Sequence, residues 1–101
     1  MTLSETKPFD SAEYLDDPQA IAAYMTDALE SDDPAFITDA LGVVARARGM
    51  SQVAQEAGLS RESLYRALSV NGNPEFTTVL HVLRALGLQF SVVSKNQQKV
   101  A

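Results

Sequence analysis

The stretch SQVAQEAGLSRESLYRAL, Ser51 to Leu68, decides the fold. Its spacing predicts two short helices with almost no loop between them. Ser51 reads as the cap of the first, which ends near Ala57, and Ser60 as the cap of the second, which ends near Leu68. Gly58 lies between them, where a tight turn calls for a positive φ that glycine adopts freely. Ala54 is small where the two helices must cross closely. Val53, Ala57, Leu59, Leu64 and Leu68 are apolar at the positions that hold the pair together. Arg61, Glu62, Ser63, Tyr65 and Arg66 are left facing outward on the second helix.

Upstream, two more helices announce themselves with the same start signal. Asp17-Pro18 and Asp33-Pro34 each place a capping carboxylate before a proline at the first helical position. The first helix runs to about Glu30, with Ile21, Tyr24, Met25, Ala28 and Leu29 at the spacing of one face. The second runs to about Arg48, with Phe36, Ile37, Ala40, Leu41 and Val44 predicted to face inward. Gly49 stops it, and Arg46 and Arg48 suit the negative end of its dipole. Downstream, Asn71-Gly72-Asn73-Pro74 is dense turn chemistry. A fifth helix is expected from about Pro74 to Leu86, with Phe76, Val79, Leu80, Leu83 and Leu86 on one face. Gly87 ends it. The alternation of Leu88, Phe90 and Val92 with polar neighbours predicts a short strand. A lone strand has no partner within the chain, so the 88–93 strand is expected to pair with that of a second copy, giving a two-fold homodimer.

The expected class is therefore all-α: five helices with a short C-terminal strand over residues 17–94. Residues 1–16 are expected to form a flexible acidic segment and 95–101 a polar tail. The 101 residues are 46% hydrophobic, enough for one domain without a metal or disulfide staple. The absence of cysteine removes disulfides, thiolate metal sites and cysteine nucleophiles, and suits a reducing cytoplasm. No apolar run approaches the roughly 20 residues of a membrane span, and the polar N-terminus does not read as a signal peptide. His81, the single histidine, sits on the polar side of the fifth helix with no ligand set around it. No phosphate-binding glycine loop or helical His/Glu pair is present either, so neither an enzyme nor a bound cofactor is expected.

The net charge of -5 conceals a division. Up to Asp39 there are ten acids and one base; from Ala40 onward there are three acids and seven bases. A chain polarised in this way suggests two partners of opposite charge. On the basic side, a helix presenting Arg61, Glu62, Ser63, Tyr65 and Arg66 has the form that enters a major groove. Arginine pairs bidentately with guanine, and glutamate accepts from cytosine. The free N–H groups behind Ser60 can face a phosphate. Ser51, Gln52, Asn71, Gly72 and Asn73 fit phosphate positioning and plain capping or turn formation equally well.

The carriers of a family resemblance are FDSAEYLDDPQAIAAYMTDAL (Phe9 to Leu29), DALGVVARARGMSQVAQEAGLSRESLYRALS (Asp39 to Ser69) and GNPEFTTVLHVLRALGLQF (Gly72 to Phe90). Across them the chain resembles the addiction-module antidotes, antitoxins with an Xre/Cro-type helix-turn-helix, similar to HigA-type antitoxins. The resemblance implies two activities: neutralising a RelE/ParE-like toxin by direct binding, and repressing the operon by binding operator DNA as a dimer. Carried over residue by residue, it implies DNA contacts at Ser51, Gln52, Ser60, Arg61, Glu62, Ser63 and Arg66. For the toxin, the acidic N-terminal segment offers charge, and Phe9, Tyr14 and Leu15 offer apolar hold. The alternative is a stand-alone, prophage-type repressor with no toxin partner.

Overall fold

Two aspartates set where the chain becomes helical. In the computed structural model, which describes residues 17–95, Asp17 is extended (φ -140°) and its carboxylate accepts from the Ala20 N–H at 2.8 Å. Helix α1 follows, Pro18–Glu30, and buries Ile21, Met25 and Ala28. Ser31 closes it by donating its hydroxyl to the Ala28 carbonyl at 2.6 Å. Asp33 then repeats the cap, accepting from the Ala35 N–H at 3.1 Å, and helix α2 runs Pro34–Arg48. Prolines at the first position of both helices cost nothing, because that N–H has no intrahelical partner.

Three further helices complete the described residues: α3 (Met50–Ala57), α4 (Arg61–Ala67) and α5 (Phe76–Ala85). Helix α1 packs on α2, α2 on α3, and α3 on both α4 and α5. The shared core is Ile21, Met25, Leu41, Val44, Val53, Leu64, Leu68, Val82, Leu83 and Leu86, with alanines at 28, 40, 45, 54 and 57 in the tighter places. Arg48 is the polar strut between the ends of two helices. Its guanidinium donates to the Ala85 carbonyl at 3.2 Å, satisfying an acceptor at the C-terminus of α5 with a charge of the favourable sign.

Helix α5 ends in a Schellman arrangement. Gly87 has φ +80°, its N–H bonds to the Arg84 carbonyl, and the Leu88 N–H reaches the Leu83 carbonyl at 2.8 Å. Beyond it the expected strand is not seen: the described residues contain no strand. A strand needs a neighbouring ladder, and the described residues supply none alongside 88–93.

The helices also differ from expectation in detail. Helix α3 begins at Met50 with Gly49 as its cap residue (φ +118°), so Ser51 is already inside the helix and makes no capping bond. Helix α5 begins at Phe76, not Pro74, and rotates Val82 rather than Phe76 and Leu80 into the core. Phe36 was expected inside and is 50% exposed; Leu29, at the end of α1, is also exposed. Both lie where the α1–α2 hairpin turns, away from the packed faces of the other described helices.

The rotation of α5 is testable. Leu86→Ala should lower unfolding free energy by about 2–5 kcal/mol in urea titrations, as for a fully buried leucine. Leu80→Ala should cost well under half of that, as partly exposed positions do. Equal losses would put Leu80 in the core.

Candidate functional site

The region singled out by the sequence folds into one compact unit. Val53, Ala54 and Ala57 of α3 are buried against Leu64 and Leu68, and Leu59 is half-buried beside them. Gly58 takes φ +77°; its N–H bonds to the Gln55 carbonyl, and the Leu59 N–H reaches the Ala54 carbonyl at 2.9 Å. This second Schellman ending turns the chain sharply enough for α4 to start at Arg61. Ser60 (ψ 156°) caps α4, its Oγ accepting from the Ser63 N–H at 3.0 Å and donating to the Ser63 hydroxyl at 2.9 Å.

With Leu64 fully buried, Arg61, Glu62, Tyr65 and Arg66 all stand in solvent, while Ser63 is half-buried. Glu62 in the first turn and Arg66 in the last complement the helix dipole. Arg61 lies over the ring of Tyr65, one turn on, at 5.5 Å from its centroid. Among the described residues no ion pair engages Arg46, Arg61, Arg66 or Arg84. Among the described residues the donors of these cations are therefore not taken up by carboxylates.

Ser51 and Gln52 are exposed on the first turn of α3, and Gln52 donates to Glu56 at 3.4 Å. After α4, the Gly72 N–H bonds to the Ser69 carbonyl at 2.8 Å, folding the 71–73 loop against the helix end. A Cβ at Gly72 would come within 2.6 Å of the Arg66 carbonyl and closer still to that of Ala67. Gly72 is therefore a close-approach residue rather than only a turn former. Phe9, Tyr14 and Leu15, expected to hold the toxin, lie outside the described residues.

One feature escaped the sequence reading. Asp39, Gly42, Arg46 and Met50 face Tyr65, Leu68, Ser69 and Val70 across a groove of about 280 Å³. A Cβ at Gly42 would meet the Arg46 guanidinium at 3.2 Å and the Leu68 carbonyl at 3.3 Å. Arg46 thus folds back along α2 toward the end of α4, in space that a glycine leaves open. The signal was Gly42 itself: glycine inside a helix costs about 1 kcal/mol relative to alanine, so a packing reason is to be sought. Among the described residues no cluster of His, Cys, Asp or Glu could hold a metal ion, and no helix is long and apolar enough to cross a membrane.

Fold and surface together define an all-helical protein with an exposed helix that carries Arg61 and Arg66 and an acidic helical hairpin. The family model of the "probable addiction module antidote protein" matches residues 5–94, and this chain belongs to that family. An uncharacterized protein of Haemophilus influenzae (strain ATCC 51907 / DSM 11121 / KW20 / Rd) is 51% identical over 88 residues, covering 87% of this chain and 91% of that protein. No solved structure matches. Family membership implies a toxin as partner and points to a regulatory rather than a catalytic role.

The turn chemistry gives a direct check. Ser60→Ala should cost about 1 kcal/mol in denaturant unfolding, the usual loss for an N-cap. Gly58→Ala should cost about 1–2 kcal/mol, because alanine resists the left-handed region. Gly72→Ala, whose φ is ordinary, should cost more than either if the loop packs as described. A neutral Gly72→Ala would mean that it does not.

Proposed function

We propose that this protein is the antitoxin of a type II toxin–antitoxin module, acting in the cytoplasm, which neutralises a RelE/ParE-like toxin by direct binding and represses its own operon through α3 and α4 used as an Xre/Cro-type helix-turn-helix. The observation that carries the DNA half is the outward face of α4, where Arg61, Glu62 and Arg66 stand exposed with both arginines unpaired. Such a helix suits the major groove, and a guanidinium there reads guanine by two parallel hydrogen bonds. Ser51, Gln52, Ser60 and Ser63 flank it as phosphate or base contacts. Arg46 belongs with them as a further cation near the end of α4.

The operator-binding species is a homodimer. Gln89 to Val93 take part in no backbone hydrogen bond among the described residues, while Phe90, Val92 and Val93 are exposed. Pairing this segment with its copy in a second chain would satisfy the backbone groups and cover the side chains together. Two reading units related by a two-fold axis would then meet a palindromic operator. Toxin binding draws on the acidic half of the chain, with Phe9, Tyr14 and Leu15 as apolar hold.

Three measurements test this reading. Co-expression with the product of the adjacent gene should give a complex that survives purification and restores growth; no complex and no rescue leave only a repressor. On the promoter fragment, affinity should fall steeply with salt as counterions are released. Arg61→Ala and Arg66→Ala should each weaken operator binding by about 1–3 kcal/mol if the residue reads a base. A uniform loss across all sequences would reduce it to a phosphate contact. Light scattering should give twice the chain mass at micromolar concentration, and a stable monomer would remove the dimer.

A further inference from the structure

From Asp17 to Ala45 the chain carries six acids and no base. Two of them, Asp17 and Asp33, are accounted for as helix caps. Asp27, Glu30 and Asp32 are not. All three are exposed, and Glu30 stands in the last turn of α1, where a negative charge opposes the helix dipole and no basic residue offsets it. Asp32 meets Lys95 at 3.6 Å, but both side chains are more than three-quarters exposed, so the pair contributes little.

The same turn of the hairpin carries two large apolar side chains in solvent. Leu29 is in the last turn of α1 and Phe36 in the first turn of α2, with Ser31, Asp32 and Asp33 between the helices. The Asp32 N–H bonds to the Leu29 carbonyl at 3.2 Å, so the acidic turn follows tightly on the last residues of α1. Local rules of helix design are broken here without any return to the fold: a buried Phe36 and a basic residue at 30 would both be more stable. An apolar centre with a charged rim is the anatomy of a protein interface.

We propose that the tip of the α1–α2 hairpin is a docking surface for the toxin, with Phe36 and Leu29 as its apolar anchors and Glu30, Asp32 and Asp33 as an acidic border that recognises a basic protein surface. The inference rests on the antidote reading and adds a contact on the folded body to the one proposed for Phe9, Tyr14 and Leu15. Charge complementarity selects the occupant. A nucleic acid or an acidic protein would be repelled by this border, whereas a basic partner is steered to it and then held by the anchors. The tip lies at the opposite end of α2 from Gly49, where α3 begins, and α2 is 15 residues long. That separation is about 22 Å at the rise of an α-helix.

The test uses the full chain and the purified product of the adjacent gene. Phe36→Ser and the double variant Glu30→Lys/Asp32→Asn should keep the fold and the promoter affinity, with the melting temperature moving by only about a few degrees and Glu30→Lys raising it, because all three residues are exposed. Phe36→Ser should weaken the complex at least tenfold, chiefly through faster dissociation, and lose growth rescue. The double variant should slow association several-fold and flatten its dependence on salt. If both variants bind and rescue as wild type does, the hairpin is not the surface and the antidote reading stands without it. If the wild-type chain itself fails to bind, the antidote reading falls and this inference with it.

Discussion

The turn at Gly58 is the constraint on which the outward chemistry depends. Helix α4 is only seven residues long, too short to be stable by itself in water. It exists because Leu64 is fully buried against α3 and because two local devices fix its start. One is the left-handed Gly58 with its pair of backbone bonds. The other is the Ser60 cap, which occupies an N–H that would otherwise be free. With the start and one face fixed, the remaining side chains have no choice of direction. Arg61, Glu62, Tyr65 and Arg66 must face solvent, and the contact of Arg61 with Tyr65 limits how far that guanidinium wanders. The other end is held by backbone as well, through the close approach of Gly72 to the last carbonyls of α4. A short helix immobilised at both ends presents side chains at definite positions, which is what base recognition would demand of it.

Charge is organised on the scale of the whole chain. Ten of the thirteen acids lie at or before Asp39 and seven of the eight bases lie from Arg46 onward, and only one ion pair, Lys95 with Asp32, joins the two groups among the described residues. A protein selected for stability alone gains little by this separation, since exposed pairs contribute only a fraction of a kcal/mol each. The gain lies in long-range fields of opposite sign on one small body. Such fields allow two partners of opposite charge to approach different faces, and each face repels the other's partner. On the proposed function this property would let the protein take a basic partner and DNA at different sites.

Much of this was legible in the sequence because its signals are local. Asp-Pro pairs, Gly58, Ser60 and Gly87 act through their own backbone and nearest neighbours, so α1, α2, the turn and α4 fell where the pattern put them. Leu64, Val53 and Ala54 were placed correctly because a helix pair joined by a short turn leaves few ways to pack. The failures came where a tertiary neighbour decides. Phe36 and Leu29 satisfy the helical period yet lie beyond the reach of any third helix. Phe76 and Leu80 likewise fit one stripe of α5, but α3 contacts the neighbouring stripe, which carries Val82. Ser51 looked like a cap because serine favours that position, but Gly49 makes the bend one residue earlier. The groove beneath Arg46 needed the end of α4 to be brought against α2, which no local pattern contains.

Phe36 and Leu29 at the hairpin tip and Phe76 on α5 fit the helical stripes and are left wet by the fold, and Phe90, Val92 and Val93, on the segment expected as a strand, are exposed as well. Phe76 and Phe90 stack with centroids 5.8 Å apart, each covering part of the other, and still remain exposed. Full burial of one such side chain is worth about 1.5–3 kcal/mol, a large share of the stability of a domain this size. Scattered apolar residues on a surface require no explanation, but these form two groups, one beside Glu30, Asp32 and Asp33 and one that includes residues 90–93, which take part in no backbone hydrogen bond among the described residues. On the proposed function the two groups would take different cover: the acidic neighbours favour a basic protein of another kind, and backbone without partners among the described residues favours the same segment of a second copy. In that reading the exposed apolar side chains are parts of interfaces and not gaps in the core.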